Sequence, residues 1–130
     1  MERVRFITHK GKQVLLLDYH GLHDEAEALA MVEERKRLVT SQPKSSVLTV
    51  ADIGGARLSK AVLSKVKEAN VYDLPYVRRA ALVGVDAKQK LKVEAVETFS
   101  HHHHELFATL AEALDWLVSE EKTSTTKDTK

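Results

Sequence analysis

Three apolar runs, each too short to be a helix and each followed by a helical stretch, constrain this chain more than any other feature. They are Val14–Leu15–Leu16–Leu17, Val47–Leu48–Thr49–Val50 and Ala80–Ala81–Leu82–Val83. A run of this kind reads as a strand covered on both faces, because the in–out alternation is lost when neither face meets water. Such strands separated by helices build a mainly parallel sheet with right-handed crossovers.

Taken in order, Arg3 to His9 alternates, with Val4 and Phe6 on one side and Arg3 and Arg5 on the other, as an edge strand does. Lys10–Gly11–Lys12 turns it into Gln13–Tyr19, which makes a hairpin and renders the first strand antiparallel. His23 to Ser41 reads as a helix, with Asp24, Glu25 and Glu27 at its start and Arg35, Lys36 and Arg37 at its end, as the macrodipole favours. Its stripe is Ala28, Met31 or Val32, and Leu38 or Val39, and Pro43 stops it. A second helix runs from Ser59 to about Val71 on Val62, Leu63, Val66 and Ala69, and Asp73–Leu74–Pro75 breaks it. Tyr76 to Val85 is a strand. Asp86 with Gln89 forms a capping-box pattern, opening a helix carried by Leu91, Ala95 and Val96 to about Thr98. Phe99 to His104 reads as a loop and Glu105–Ala108 as a short strand. Thr109 with Glu112 is a second capping-box pattern, opening a helix with Leu110, Ala113 or Leu114, and Leu117 inward. The expected fold is therefore α/β: a mixed, mainly parallel sheet of about five strands with four helices, ordered β-β-α-β-α-β-α-β-α. The domain spans 1–118, and 119–130, without an apolar residue, reads as a disordered polar tail.

Composition narrows the function. A net charge of +1 from 20 basic and 19 acidic residues gives no single-signed field. Arg78–Arg79, Lys10 and Lys12 lack aromatic interleaving, so no nucleic-acid surface is expected. There is no cysteine, hence no disulfide, thiolate metal site or thiol nucleophile. No apolar stretch nears the ~20 residues of a membrane helix, and MERVRFITHK has no signal-peptide core, so a cytoplasmic protein without a membrane span is expected. The exposed first strand offers an edge on which a homodimer would pair.

The segment Ser46–Ser59, SVLTVADIGGARLS, brings the central strand through an Asp-Ile-Gly-Gly turn to a helix with Ser59 at its entrance. Together with VLLLDYHGL, PYVRRAALVGVD and LFATLAEALDWL, it resembles the STAS superfamily of anti-sigma-factor antagonist domains. More closely, it is similar to the small bacterial STAS-like proteins grouped with the CRAL-TRIO lipid-binding fold. The resemblance spans residues 13–118. It implies a strand–helix superhelix and a non-enzymatic regulatory or protein-interaction role, switched in such antagonists by phosphorylation of a serine in an Asp-Ser-Ser-Gly-like stretch. Here that place holds Ala56–Arg57–Leu58–Ser59–Lys60, and Ser59 is the hydroxyl that corresponds.

The residues themselves leave alternatives open at each site. Ser59 reads as a helix N-cap, with which phosphorylation is compatible, since a phosphate there meets free amides and the positive dipole end. Asp18 and Asp52 both end parallel strands, at the edge where open α/β sheets hold ligands, and with Gly54 and Gly55 they are the candidate partner- or ligand-binding residues. Their alternative role is capping their own turns. His101, His102, His103 and His104 form a run that could bind a transition metal or stand as a solvated loop. His20 and His23 lie in the loop after the second strand. No phosphate-loop, Gly-x-Ser-x-Gly, dinucleotide or His-Glu-x-x-His pattern is present, and neither an enzyme nor a cofactor is expected. The interaction module therefore stands first. A binder of a small apolar or lipid-like molecule, seated between sheet and helices, is the alternative.

Overall fold

The computed structural model describes residues 2–119, so the polar tail expected over 119–130 lies outside the described residues except for Ser119, whose hydroxyl donates to Trp116 O at 2.7 Å. The elements are β1 (Val4–His9), β2 (Lys12–Asp18), α1 (Glu25–Thr40), β3 (Val47–Asp52), α2 (Lys60–Asp73), β4 (Val77–Val83), α3 (Ala87–Ser100), β5 (Glu105–Phe107) and α4 (Leu110–Leu117). This is the expected α/β order. The five strands form one mixed sheet in the order β1-β2-β3-β4-β5, with β1 antiparallel to β2 and every later pair parallel.

Because strand order follows chain order without reversal, successive crossovers of one hand lay their helices on one face. The packing agrees. Leu15, Leu17, Val47, Ala51 and Leu82 on one side of the sheet form a core with Met31 and Val39 of α1 and Val62 of α2, against which Val93 of α3 also packs. Val14, Leu16, Leu48, Val50 and Val83 on the other side meet Ala113, Leu114 and Leu117 of α4. Each interior strand is thus apolar on both faces, which is why its sequence does not alternate.

The helix starts follow their caps. Asp24, Ser59, Asp86 and Thr109 are the N-caps, each accepting the N–H of the residue three positions on. Asp86 and Gln89 form the full reciprocal box. Thr109 accepts from Glu112 N–H, and no return bond from the Glu112 side chain accompanies it. Two expectations need correction. The α3 helix continues through Phe99 and Ser100, whose hydroxyl bonds back to Val96 O at 2.8 Å, and it ends at His101 in the left-handed conformation (φ 58°). Its inner face is Gln89, Val93, Val96 and Ser100, so Leu91 and Ala95 point outward, Leu91 being 74% exposed. The capping glutamine, buried by a bond to Ile53 O at 2.8 Å, sets that rotation.

Lys10, Lys12 and Arg79, three of the four basic residues weighed above for a nucleic-acid surface, hold α4 and its end. Lys10 pairs with Asp115 at 3.0 Å, Lys12 donates to Val118 O at 3.2 Å, and Arg79 lies over the Trp116 ring at 4.9 Å and donates to the Ser119 hydroxyl. No helix among the described residues is long and apolar enough to cross a membrane.

Candidate functional site

Asp18 and Asp52 are register partners at the ends of β2 and β3. Each carboxylate serves its own turn. Asp18 Oδ1 accepts His20 N–H at 3.1 Å, and Asp52 Oδ1 accepts Gly54 N–H at 3.0 Å. The structure also brings His20 to this edge, its Nδ1 3.3 Å from Asp52 Oδ1, and sets His23 Nε2 3.1 Å from Gly55 O. Gly84 packs so close that a Cβ there would sit 2.8 Å from the Gly54 Cα. These contacts tie three loops together. No hydroxyl nucleophile is bonded to the His20–Asp52 pair among the described interactions. The strand order does not reverse, so this edge has no switch point of the kind at which doubly wound sheets hold ligands. A strand-order reversal is therefore not what would bring a ligand or partner to Asp18, Asp52, Gly54 and Gly55. Ser59 is half-buried, and its hydroxyl accepts Val62 N–H at 3.3 Å, so the cap is formed.

The histidine run divides. His101 and His103 are exposed, His104 is half-buried, and His102 is 4% exposed, its ring stacked on that of His104 at 4.6 Å. Among the described residues no three His, Asp or Glu side chains converge as a metal site requires. The reason is the left-handed His101, after which alternate side chains leave on opposite sides. Glu97 gathers the exposed side instead. It accepts His104 N–H at 2.7 Å and lies 3.6 Å from His103 Nδ1, and the His104 ring and backbone beside it hold its carboxyl below the usual range.

His102 lies the other way, in the lining of a space on the helical face of the sheet. A cavity of about 70 Å³ lies between the sheet and helices α2 and α3. Leu17, Ala51 and Leu82 of the sheet and Val62, Val66 and Val96 of the helices line it. Leu58, Leu63, Val66 and Val93 are only half-buried, and they mark where it opens between α2 and α3.

A polar cluster shares this lining: Tyr19, Arg35, Asn70, Asp73 and His102, all buried. Arg35 Nε donates to Asp73 Oδ2 at 2.8 Å, and Arg35 Nη2 donates to Asn70 Oδ1. Burial pushes the Asp73 carboxyl up, and Arg35 opposes it. Burial likewise pushes the Tyr19 hydroxyl up, again against Arg35. His102 is pushed down to about 3, first by burial and then by His104 and Arg35, so it is neutral at pH 7. Two enclosed atoms, Tyr19 OH and Asp73 Oδ1, have no hydrogen-bond partner.

The sequence reading took Arg35 as a helix-end charge and Asp73 as a breaker. A signal was there. Arg35 stands four residues after Met31 and four before Val39, and Asp73 stands four after Ala69, each on its helix's apolar stripe. Opposite charges on the buried stripes of neighbouring helices point to a buried pair.

Compared with family models, curated proteins and solved structures, the chain matches none.

Proposed function

We propose that this chain is a non-enzymatic binding module that holds a small amphipathic molecule in the cavity between the sheet and α2–α3. The observation that carries the reading is the cavity itself, walled mostly by apolar side chains and sharing its lining with the buried polar residues Tyr19, Arg35, Asn70, Asp73 and His102. Apolar walls with a few buried polar groups among them are the make-up of a pocket for a small molecule with one polar end. The volume bounds that occupant. About 70 Å³ is roughly half the ~150 Å³ of a dry cavity that admits benzene, so a head and a few carbons fit inside, and any longer tail lies in the gap between the helices. Native mass spectrometry of the freshly purified chain, with solvent extraction of whatever it carries, tests this. A bound small molecule in repeated preparations supports the reading; an apo mass throughout, together with no shift of cavity-lining resonances on adding small amphiphiles, refutes it.

A second reading keeps the STAS-like regulatory role. Its support is the position of Ser59 at the N-cap of α2, where a phosphate would meet first-turn amides. It predicts that Ser59→Asp changes the proteins co-purified from the native cell while Ser59→Ala does not. Identical partners for both variants and the parent would remove it.

A further inference from the structure

We infer that the outer face of α2 and α3 rests on an anionic lipid membrane, with Leu91 and Phe99 set into the headgroup boundary and Lys60, Lys67, Lys88 and Lys92 over the lipid charges; this stands independently of what fills the cavity. Leu91, Ala95 and Phe99 recur every four residues along the outer side of α3, and Leu91 and Phe99 are 74% and 59% exposed. Lys88 stands three residues before Leu91, and Lys92 three before Ala95, so both flank this stripe. On α2, Lys60, Lys67 and Val71 share the outer side at spacings of seven and four, and Val71 is 48% exposed. Two contacts join the stripes into one face. Lys67 Nζ lies 5.8 Å from the centre of the Phe99 ring, and Lys92 Nζ donates to Leu58 O, just ahead of α2, at 3.0 Å.

The balanced net charge hides a segregation, because every carboxylate of these two helices is turned elsewhere. Glu68 lies 3.8 Å from Lys65 on its own helix, and Asp73 is in the core with Arg35. Asp86 caps α3, and Glu94 and Glu97 line its β5 side with His103 and Leu106. What remains is a face both cationic and apolar, the make-up by which a helix lies in a membrane interface. Lysine stems run along apolar surface while their charges stay at headgroup level, and an anionic leaflet attracts each of those charges. A nucleic acid offers the same phosphate charge, but it has no apolar layer for Leu91, the most exposed large apolar side chain among the described residues. The lipid surface accounts for both halves of the face.

The test is flotation of the full chain with phosphatidylcholine vesicles, with and without about one third phosphatidylserine, at about 0.1 M salt. The expected result is binding about tenfold or more tighter to the anionic vesicles, weakening steeply towards about 1 M salt. Lys60→Gln/Lys88→Gln, both at exposed positions, should weaken that binding by about thirtyfold. Lys36→Gln/Lys44→Gln, which removes the same charge away from this face, should weaken it by less than about threefold. Leu91→Ser/Phe99→Ser should weaken it by about tenfold with an unchanged circular dichroism spectrum. Absence of vesicle binding, equal binding to both compositions, equal losses from the two lysine pairs, or parental binding by the Leu91 and Phe99 variant overturns the proposal. Tighter binding of a duplex oligonucleotide than of the vesicles assigns the face to nucleic acid and overturns it as well.

Discussion

Replacing Arg35 by Met leaves the Asp73 carboxylate in the core without its counter-charge. The two side chains are 9% and 2% exposed and 2.8 Å apart, which places the pair among buried ion pairs rather than surface ones. Exposed pairs contribute about 0–1 kcal/mol, whereas removing one member of a buried pair costs about 3–5 kcal/mol because the other is stranded. Met keeps most of the aliphatic volume, so the loss reports the charge. Against a typical domain stability of about 5–15 kcal/mol, the effect is large. Urea unfolding followed by circular dichroism and Trp116 fluorescence measures it. The double variant Arg35→Met/Asp73→Leu should recover most of the loss, since removing both charges leaves nothing stranded. The deficit of the single variant should also shrink as pH falls from 7 towards 4. Burial raises the folded-state Asp73 pKa and Arg35 opposes that rise, so without Arg35 the value climbs further. A raised folded-state pKa gives stability that is present at low pH and lost as pH rises through it. A single-variant loss under about 1 kcal/mol, or a double variant no better than the single, would refute the argument.

Three further outcomes follow from the structure. His102 is pushed down to about 3, so its contribution is intact above its unfolded value near 6.5 and is lost as pH falls through the window between them; about 2 kcal/mol should be gone by pH 5, and His102→Phe should flatten that slope in urea titrations. Gly84→Ala should lower stability by more than about 1–3 kcal/mol by thermal unfolding, because φ is +80° and the new Cβ would meet Gly54 backbone atoms at 2.8 and 2.9 Å. Leu117→Ala, at a residue 2% exposed against the outer sheet face, should cost about 2–5 kcal/mol in the same assay and leave binding in the cavity on the other face unchanged.

The signals that were legible are local ones. The apolar runs at Val14, Val47 and Ala80 announced interior strands, and Ser59 and the Asp86–Gln89 box announced helix starts, since each depends on residues within a few positions of one another. The rotation of α3 was not legible in this way. Leu91 belongs to a plausible stripe, but the bond from Gln89 to Ile53 O, 36 residues away in sequence, chooses a different face. The histidine run misled for a similar reason. Four identical side chains in a row suggest one shared role, yet His101 in the left-handed region sends His102 into the core and leaves His103 outside.

By itself the sequence determined the class of fold, the order of its elements and three of its four connecting turns' helix caps, because hydrophobic period and capping chemistry act over short stretches of chain. It did not determine the site. Tyr19, Arg35, the Asn70–Asp73 pair and His102 come from four separate places and meet only when α1, α2 and the segment after α3 close on one face of the sheet. Which polar atoms find partners there, and which two do not, depends on packing geometry across those elements, and that geometry exists only in the folded chain.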